Sequence, residues 1–212
     1  MKRFLLGSIA TLLILSGIDP VADRLTWFME TVPVMIGIVV LTATHRRFEL
    51  TLLSYQLLWL FGLVLIVGGY YTYAGNPLFN WLRDTFDLAR NYYDRVGHIL
   101  QGFVPAIVAR EVLLRCSPLR PGKWLFVIVT ALCLAISAVY ELVEWLAALT
   151  FEQAADAFLG TQGDHWDTQW DMFLALVSAM VAQALLSARH DRELALLPFF
   201  KKELKTHDAS EA

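Results

Sequence analysis

Charge is scarce in this 212-residue chain: Asp, Glu, Lys and Arg supply 17% of it, against 57% hydrophobic and 13% aromatic residues, for a mean hydropathy of +0.53. So little polar surface cannot cover a water-soluble globule and fits a chain whose outer face meets lipid. Cysteine is nearly absent as well. Cys116 and Cys133 lie seventeen residues apart, one at a loop edge and one in an apolar run, a placement that offers neither a disulfide framework nor a zinc cluster. The 17 Lys and Arg never gather into a basic stripe, and with a net charge of −3 no nucleic-acid partner is expected. There is no HExxH motif, internal repeat, low-complexity tract or linker, which leaves a single helical domain as the simplest organisation.

What the chain does have is apolar length. Runs near membrane-spanning length occupy about 4–19, 25–44, 52–74, 95–115, 124–149 and 171–189, predicting an all-α, polytopic six-helix bundle over residues 1–189 and a tail over 190–212. The opening "MKRFLLGSIATLLILSGIDP" has the basic start of a secretory signal, but "IDPVADR" offers only Pro20 and Ala22 as small or tolerated cleavage-site residues, so an uncleaved first span is expected. Gly97, Gly102 and Pro105 predict a kinked, closely packed fourth span.

Orientation follows from the basic residues. Lys2, Arg3, Arg46, Arg47, Arg110, Arg115, Arg120, Lys123, Arg189, Arg192, Lys201, Lys202 and Lys205 fall on one side, and only Arg24, Arg83, Arg90 and Arg95 on the other. Thirteen against four places both termini in the cytoplasm. The acids lean the opposite way, with Asp19, Asp23, Glu30, Asp84, Asp87, Asp94, Glu152, Asp156, Asp164, Asp167 and Asp171 on the outer side. The tail mixes charge with "LALLPFF" and reads as lying along the inner interface.

Several polar residues do not belong in lipid. Asp94, His98 and Gln101 follow an i, i+4, i+7 spacing that lines one helix face, with His98 about 6 Å below Asp94. Glu141 and Glu144, at i and i+3, sit in the outer third of the fifth run, where each acid costs on the order of 1–3 kcal/mol by insertion scales. In "GDHWDTQWDMF", Asp164, Asp167 and Asp171 stack on one face if the last helix starts early, while Trp166 and Trp170 read as interfacial belt residues. Three segments thus deliver carboxylates and imidazoles to one level.

Such a cluster has three uses. Glu141, Glu144, His98, Asp167 and Asp171 could hold a divalent metal such as zinc, manganese or magnesium, with His98, Asp94, Glu141 and Glu144 as the catalytic acid, base or ligand groups acting on an envelope lipid or other amphiphile. In the same setting Arg83, Arg90, Arg95 and Gln101 would bind substrate, the arginines holding a phosphate while an acid and His98 exchange protons. The second use is a proton or cation relay in a small transporter, against which the inner halves read as apolar apart from Gln56 and Gln183. The third is structural, acids and arginines merely pairing. Membrane lipids are the expected partners in each.

The stretches "YDRVGHILQGFVPAIVARE", "AISAVYELVEW" and "DAFLGTQGDHWDTQWDMFLAL" resemble the YjdF-like inner membrane proteins of bacteria, over most of the chain from the third span to the sixth. That resemblance implies a multipass protein of the cytoplasmic membrane and no particular chemistry. A pattern-level likeness to VanZ-like proteins rests on Asp94 and His98 opening a helix, Glu141 or Glu144 in a later one, and Asp167 and Asp171 before the last. Arg95 stands where a lysine often follows that aspartate, and no role in glycopeptide resistance or envelope-lipid chemistry carries over.

Overall fold

The computed structural model describes residues 1–150 and 161–197. Glu152, Asp156 and the tail from residue 198, with Lys201, Lys202 and Lys205, lie outside the described residues. Within them the chain is all helical: α1 (Lys2–Ser16), α2 (Arg24–Thr44), α3 (Leu52–Tyr71), α4 (Pro77–Phe86), α5 (Tyr93–Cys116), α6 (Lys123–Thr150) and α7 (Asp167–Ala195).

Four of these helices, α2, α3, α6 and α7, are long and apolar enough to cross a membrane. The expected first and fourth spans do not meet that measure. At 15 residues α1 reaches about 22 Å, short of a ~30 Å hydrocarbon core, and α5 carries Asp94, Arg95, His98, Arg110, Glu111 and Arg115. The segment between the third and fourth expected spans, for which no helix is expected from its apolar length, contains α4. Asn76 accepts a hydrogen bond from the Phe79 backbone N–H, Pro77 starts the helix without losing a bond, and Asp87, left-handed at φ 50°, ends it. The last helix runs on to Ala195, beyond the expected end at residue 189.

The polar helix is the central one. α5 packs on α3, α6 and α7, while α1 and α2 join through α3, so the apolar helices screen α5 from the surroundings. One buried cluster joins Ala106, Ile107 and Leu114 of α5 to Leu53, Leu125, Val129, Cys133, Ala179 and Ala182. A second joins Ile9, Leu13, Val34, Leu65, Ile66, Tyr73 and Tyr93. Two of the expected kink residues have visible packing reasons. Gly97 lets the Tyr73 ring approach, and Gly102 faces α7 so closely that an added Cβ would lie 2.0 Å from the Ala175 carbonyl oxygen.

That approach sets the α5–α7 distance. Alanine at residue 102 gains about 1 kcal/mol in helix propensity, but backbone cannot yield as a flexible side chain can. Gly102→Ala is therefore expected to destabilise the protein by about 2 kcal/mol net, read as a lower thermal midpoint in detergent, whereas Gly7→Ala, with open space around it, should not.

Candidate functional site

The first turns of α5 and α7 meet in a lattice of two arginines and four aspartates. Arg95 reaches Asp164 at 2.9 Å, Asp167 at 2.7 Å and Asp171, and donates to the Asp167 carbonyl at 3.1 Å. Arg90, from the segment before α5, binds Asp167 closely, with Asp164 at 3.5 Å and Asp94 at 3.6 Å. That segment is itself fixed. The Asn91 backbone exchanges bonds with the Gln162 side chain, and the Asn91 amide donates to the carbonyls of Ala74 and Asn76 and to Asn80. Asp164, in the loop before α7, is held below the usual aspartate range by the Trp166 backbone N–H and, after it, by Arg95 and Arg90. Its contribution is thus present above the ordinary aspartate range and fades as acid protonates it.

One turn deeper, His98 stands between acids. Nε2 lies 3.5 Å from Asp94 and 3.8 Å from Asp171, while Nδ1 lies 3.0 Å from Gln101 Oε1 and 3.7 Å from Glu141. With Nδ1–H donating to Gln101, Nε2 turns its lone pair toward the two aspartates. Ligand atoms of Asp94, His98 and Asp171 lie within 4.8 Å of one another, all three residues buried. Separations of 3.5 and 3.8 Å from Nε2 approach the ~3.3 Å spacing of ligands around a tetrahedral zinc. Asp94 Oδ2 and Glu141 Oε1 are buried without a hydrogen-bond partner, which leaves coordinating capacity in the cluster.

Beside His98 is a cavity of about 130 Å³ between α2, α3, α5 and α6. Asp94, His98, Gln101, Tyr140, Glu144 and Glu30 give its polar wall, and Pro33, Phe61, Leu65 and Pro105 its apolar floor. Glu30 was missing from the sequence-derived site because it stands near the start of an apolar run and counts there as one more outer acid. A carboxylate inside a span was nevertheless the signal to follow. Glu30 and Glu144 are 3% and 8% exposed, and among the described residues neither has a hydrogen-bond or ion-pair partner.

The remaining candidates are placed as follows. Glu141 faces the Nδ1 side of His98, away from the Nε2 side where Asp94 and Asp171 meet. Asp167 belongs to the arginine lattice. Arg83 pairs with its neighbour Asp84 on the exposed α4, apart from the lattice. His165 is exposed, edge-on to Trp166 at 6.5 Å.

The opposite end of α5 is not apolar, contrary to the sequence reading of that half. Arg110 and Arg115, expected among loop charges, lie within the helix beside the fully buried Glu111. The Glu111 carboxylate accepts from the Thr51 backbone N–H and hydroxyl, the Ser54 hydroxyl, Arg115 and His190, while Arg110 donates to His190 Nδ1 at 3.0 Å and pairs with Asp191 at 2.7 Å. Spacing conceals this cluster because its partners come from α3 and α7.

The family model described as "Predicted membrane protein (DUF2238)" matches residues 1–192. The chain belongs to this family. It is 49% identical over 187 residues to the inner membrane protein YjdF of Escherichia coli (strain K12), covering 88% of this chain and 89% of that relative. No solved structure matches. The chain is accordingly a bacterial inner-membrane protein with several apolar helices, surrounded by lipid.

Removing one arginine from the lattice leaves buried carboxylates without their counter-charge. Arg95→Ala is expected to destabilise by about 3–5 kcal/mol in a denaturant titration in micelles. Asp164→Asn, at the partly exposed edge, should change the midpoint little.

Proposed function

We propose that residues 1–189 form a six-span bundle with cytoplasmic termini and a short cytoplasmic tail, and that its cavity, facing the periplasm, takes the head group of an envelope lipid or another amphiphile and acts on it. The observation that carries this reading is the junction of two spaces. The polar-walled cavity shares Pro33, Phe61, Leu65 and Pro105 with a second, almost wholly apolar groove of about 150 Å³ between α1, α2 and α3. A head at the carboxylates and a chain along the groove is the arrangement such a pair fits. α2 and α6 both line the cavity without packing extensively on each other, and Ile136 of its wall is 45% exposed, which supports entry from the lipid side.

In this reading Asp94, His98 Nε2 and Asp171 hold a divalent ion, Gln101 fixes the His98 tautomer, and Glu141 adjusts the basicity of the ring from the Nδ1 side. Glu144, facing the cavity, exchanges protons with the bound head group. Arg90 and Arg95 serve to hold the acids in place, because their guanidinium groups already face Asp164, Asp167 and Asp171. A divalent ion also eases the charge excess. Glu30, Asp94, Glu141, Glu144, Asp164, Asp167 and Asp171 are seven carboxylates against two arginines and one imidazole.

A transporter needs a polar path through α5, yet Val104, Ala106 and Ile107, between Gln101 and Arg110, are fully buried among apolar neighbours. A wholly structural role accounts for the arginine lattice and leaves Glu30 and Glu144 without a reason.

Two measurements test this. Elemental analysis of the purified protein should find about one zinc or manganese per chain, lost in Asp94→Asn and His98→Ala. Equal, substoichiometric metal in all three would eliminate the metal. In a Cys116→Ser, Cys133→Ser background, Trp166→Cys should react with an impermeant maleimide in intact spheroplasts and Arg120→Cys only after lysis. The reverse pattern would overturn the periplasmic assignment.

A further inference from the structure

We propose that the cavity selects a cationic head group: Glu30 and Glu144 receive the ammonium of a long-chain amine whose hydrocarbon tail lies in the adjoining groove. This rests on the reading of the cavity as an amphiphile site and names the class of amphiphile.

The two glutamates come from α2 and α6, line the same space, and have no hydrogen-bond or ion-pair partner among the described residues although both are more than nine-tenths buried. A buried carboxylate that no protein donor satisfies is costly, and one supplied by a ligand removes that cost. The arginines that could have satisfied them are occupied in the lattice with Asp164, Asp167 and Asp171, and neither lines the cavity. Even with a divalent ion on Asp94, His98 and Asp171, whose two charges those aspartates offset, a phosphate or sulfate head would meet Glu30 and Glu144 with no free basic side chain among the lining residues. A neutral head would leave the acids as they are. An ammonium group donates to both glutamates, and the rings of Phe61, Tyr73 and Tyr140 in the same wall suit a cation through their π faces.

The tail has a path. Below Pro33 and Pro105 the groove is lined by Leu5, Ile9, Val34, Leu41 and Leu58, and Gly37 opens onto it with nothing within 4 Å of an added Cβ. A linear chain fits a groove continuous with the head site.

Titration of the full-length protein in neutral maltoside micelles with radiolabelled dodecylamine, an ammonium at pH 7, with dodecanol and with dodecyl sulfate tests the assignment. Saturable one-site binding is expected for dodecylamine, at least about tenfold tighter than for the other two, and reduced about tenfold by Glu30→Gln or Glu144→Gln. Gly37→Phe should weaken binding by filling the tail path. Dodecanol or dodecyl sulfate binding as tightly as the amine to the unsubstituted protein, or folded Gln variants binding like it, would overturn the cationic head while leaving the amphiphile site standing. If none of the three chains binds saturably, or Gly37→Phe changes nothing, the amphiphile site itself falls.

Discussion

Carboxylates in a membrane helix bundle are tolerated when something of opposite charge reaches them before water does, and the rest of this structure depends on how Arg90 and Arg95 do so. Both arginines sit at or just before the start of α5, and both reach across to α7. Each guanidinium bridges more than one aspartate, so the acids are held in a planar, multiply bonded arrangement that a lysine could not reproduce. With Gly102 drawing the two helices together, the lattice fixes the frame on which His98 is oriented.

The frame neutralises only part of the charge it gathers. Asp164, Asp167 and Asp171 have arginine partners, whereas Glu30, Glu141 and Glu144 depend on His98, on each other or on something from outside the chain. The Glu111 cluster at the far end of α5 is the contrast. There one carboxylate takes bonds from Thr51, Ser54, Arg115 and His190, and it reads as a fastening between α3, α5 and α7. Satisfaction at one end and shortage at the other separate a structural polar cluster from a site.

Much of this was legible in the residues because hydrophobic length and helical spacing are local properties. The apolar runs at 25–44, 52–74 and 124–149 lie within a few residues of α2, α3 and α6, and the Asp94, His98, Gln101 spacing does put all three on one face of α5. Helix α4 escaped because ten amphipathic residues carry no spanning signal, although Asn76 and Pro77 mark its start. Glu30, Glu111 and His190 escaped for another reason. A lone charge near the end of a run looks like loop charge, and only tertiary packing brings Glu30 opposite Glu144 or His190 onto Glu111. The pairing of Arg95 with Asp171 was likewise open in sequence, since 76 residues separate them.

Pro33 and Pro105 border both the polar cavity and the apolar groove, one on each of two helices that face that space. Proline has no amide hydrogen, so the carbonyls of Met29 and Gln101, four residues earlier, lose their usual helical donors. Both residues precede their prolines by one helical turn, and Glu30 and Gln101 of those turns line the cavity. At each proline the helix thus carries one backbone acceptor without its usual donor, in the turn where the lining changes from acid to hydrocarbon, and with no ionisable group added.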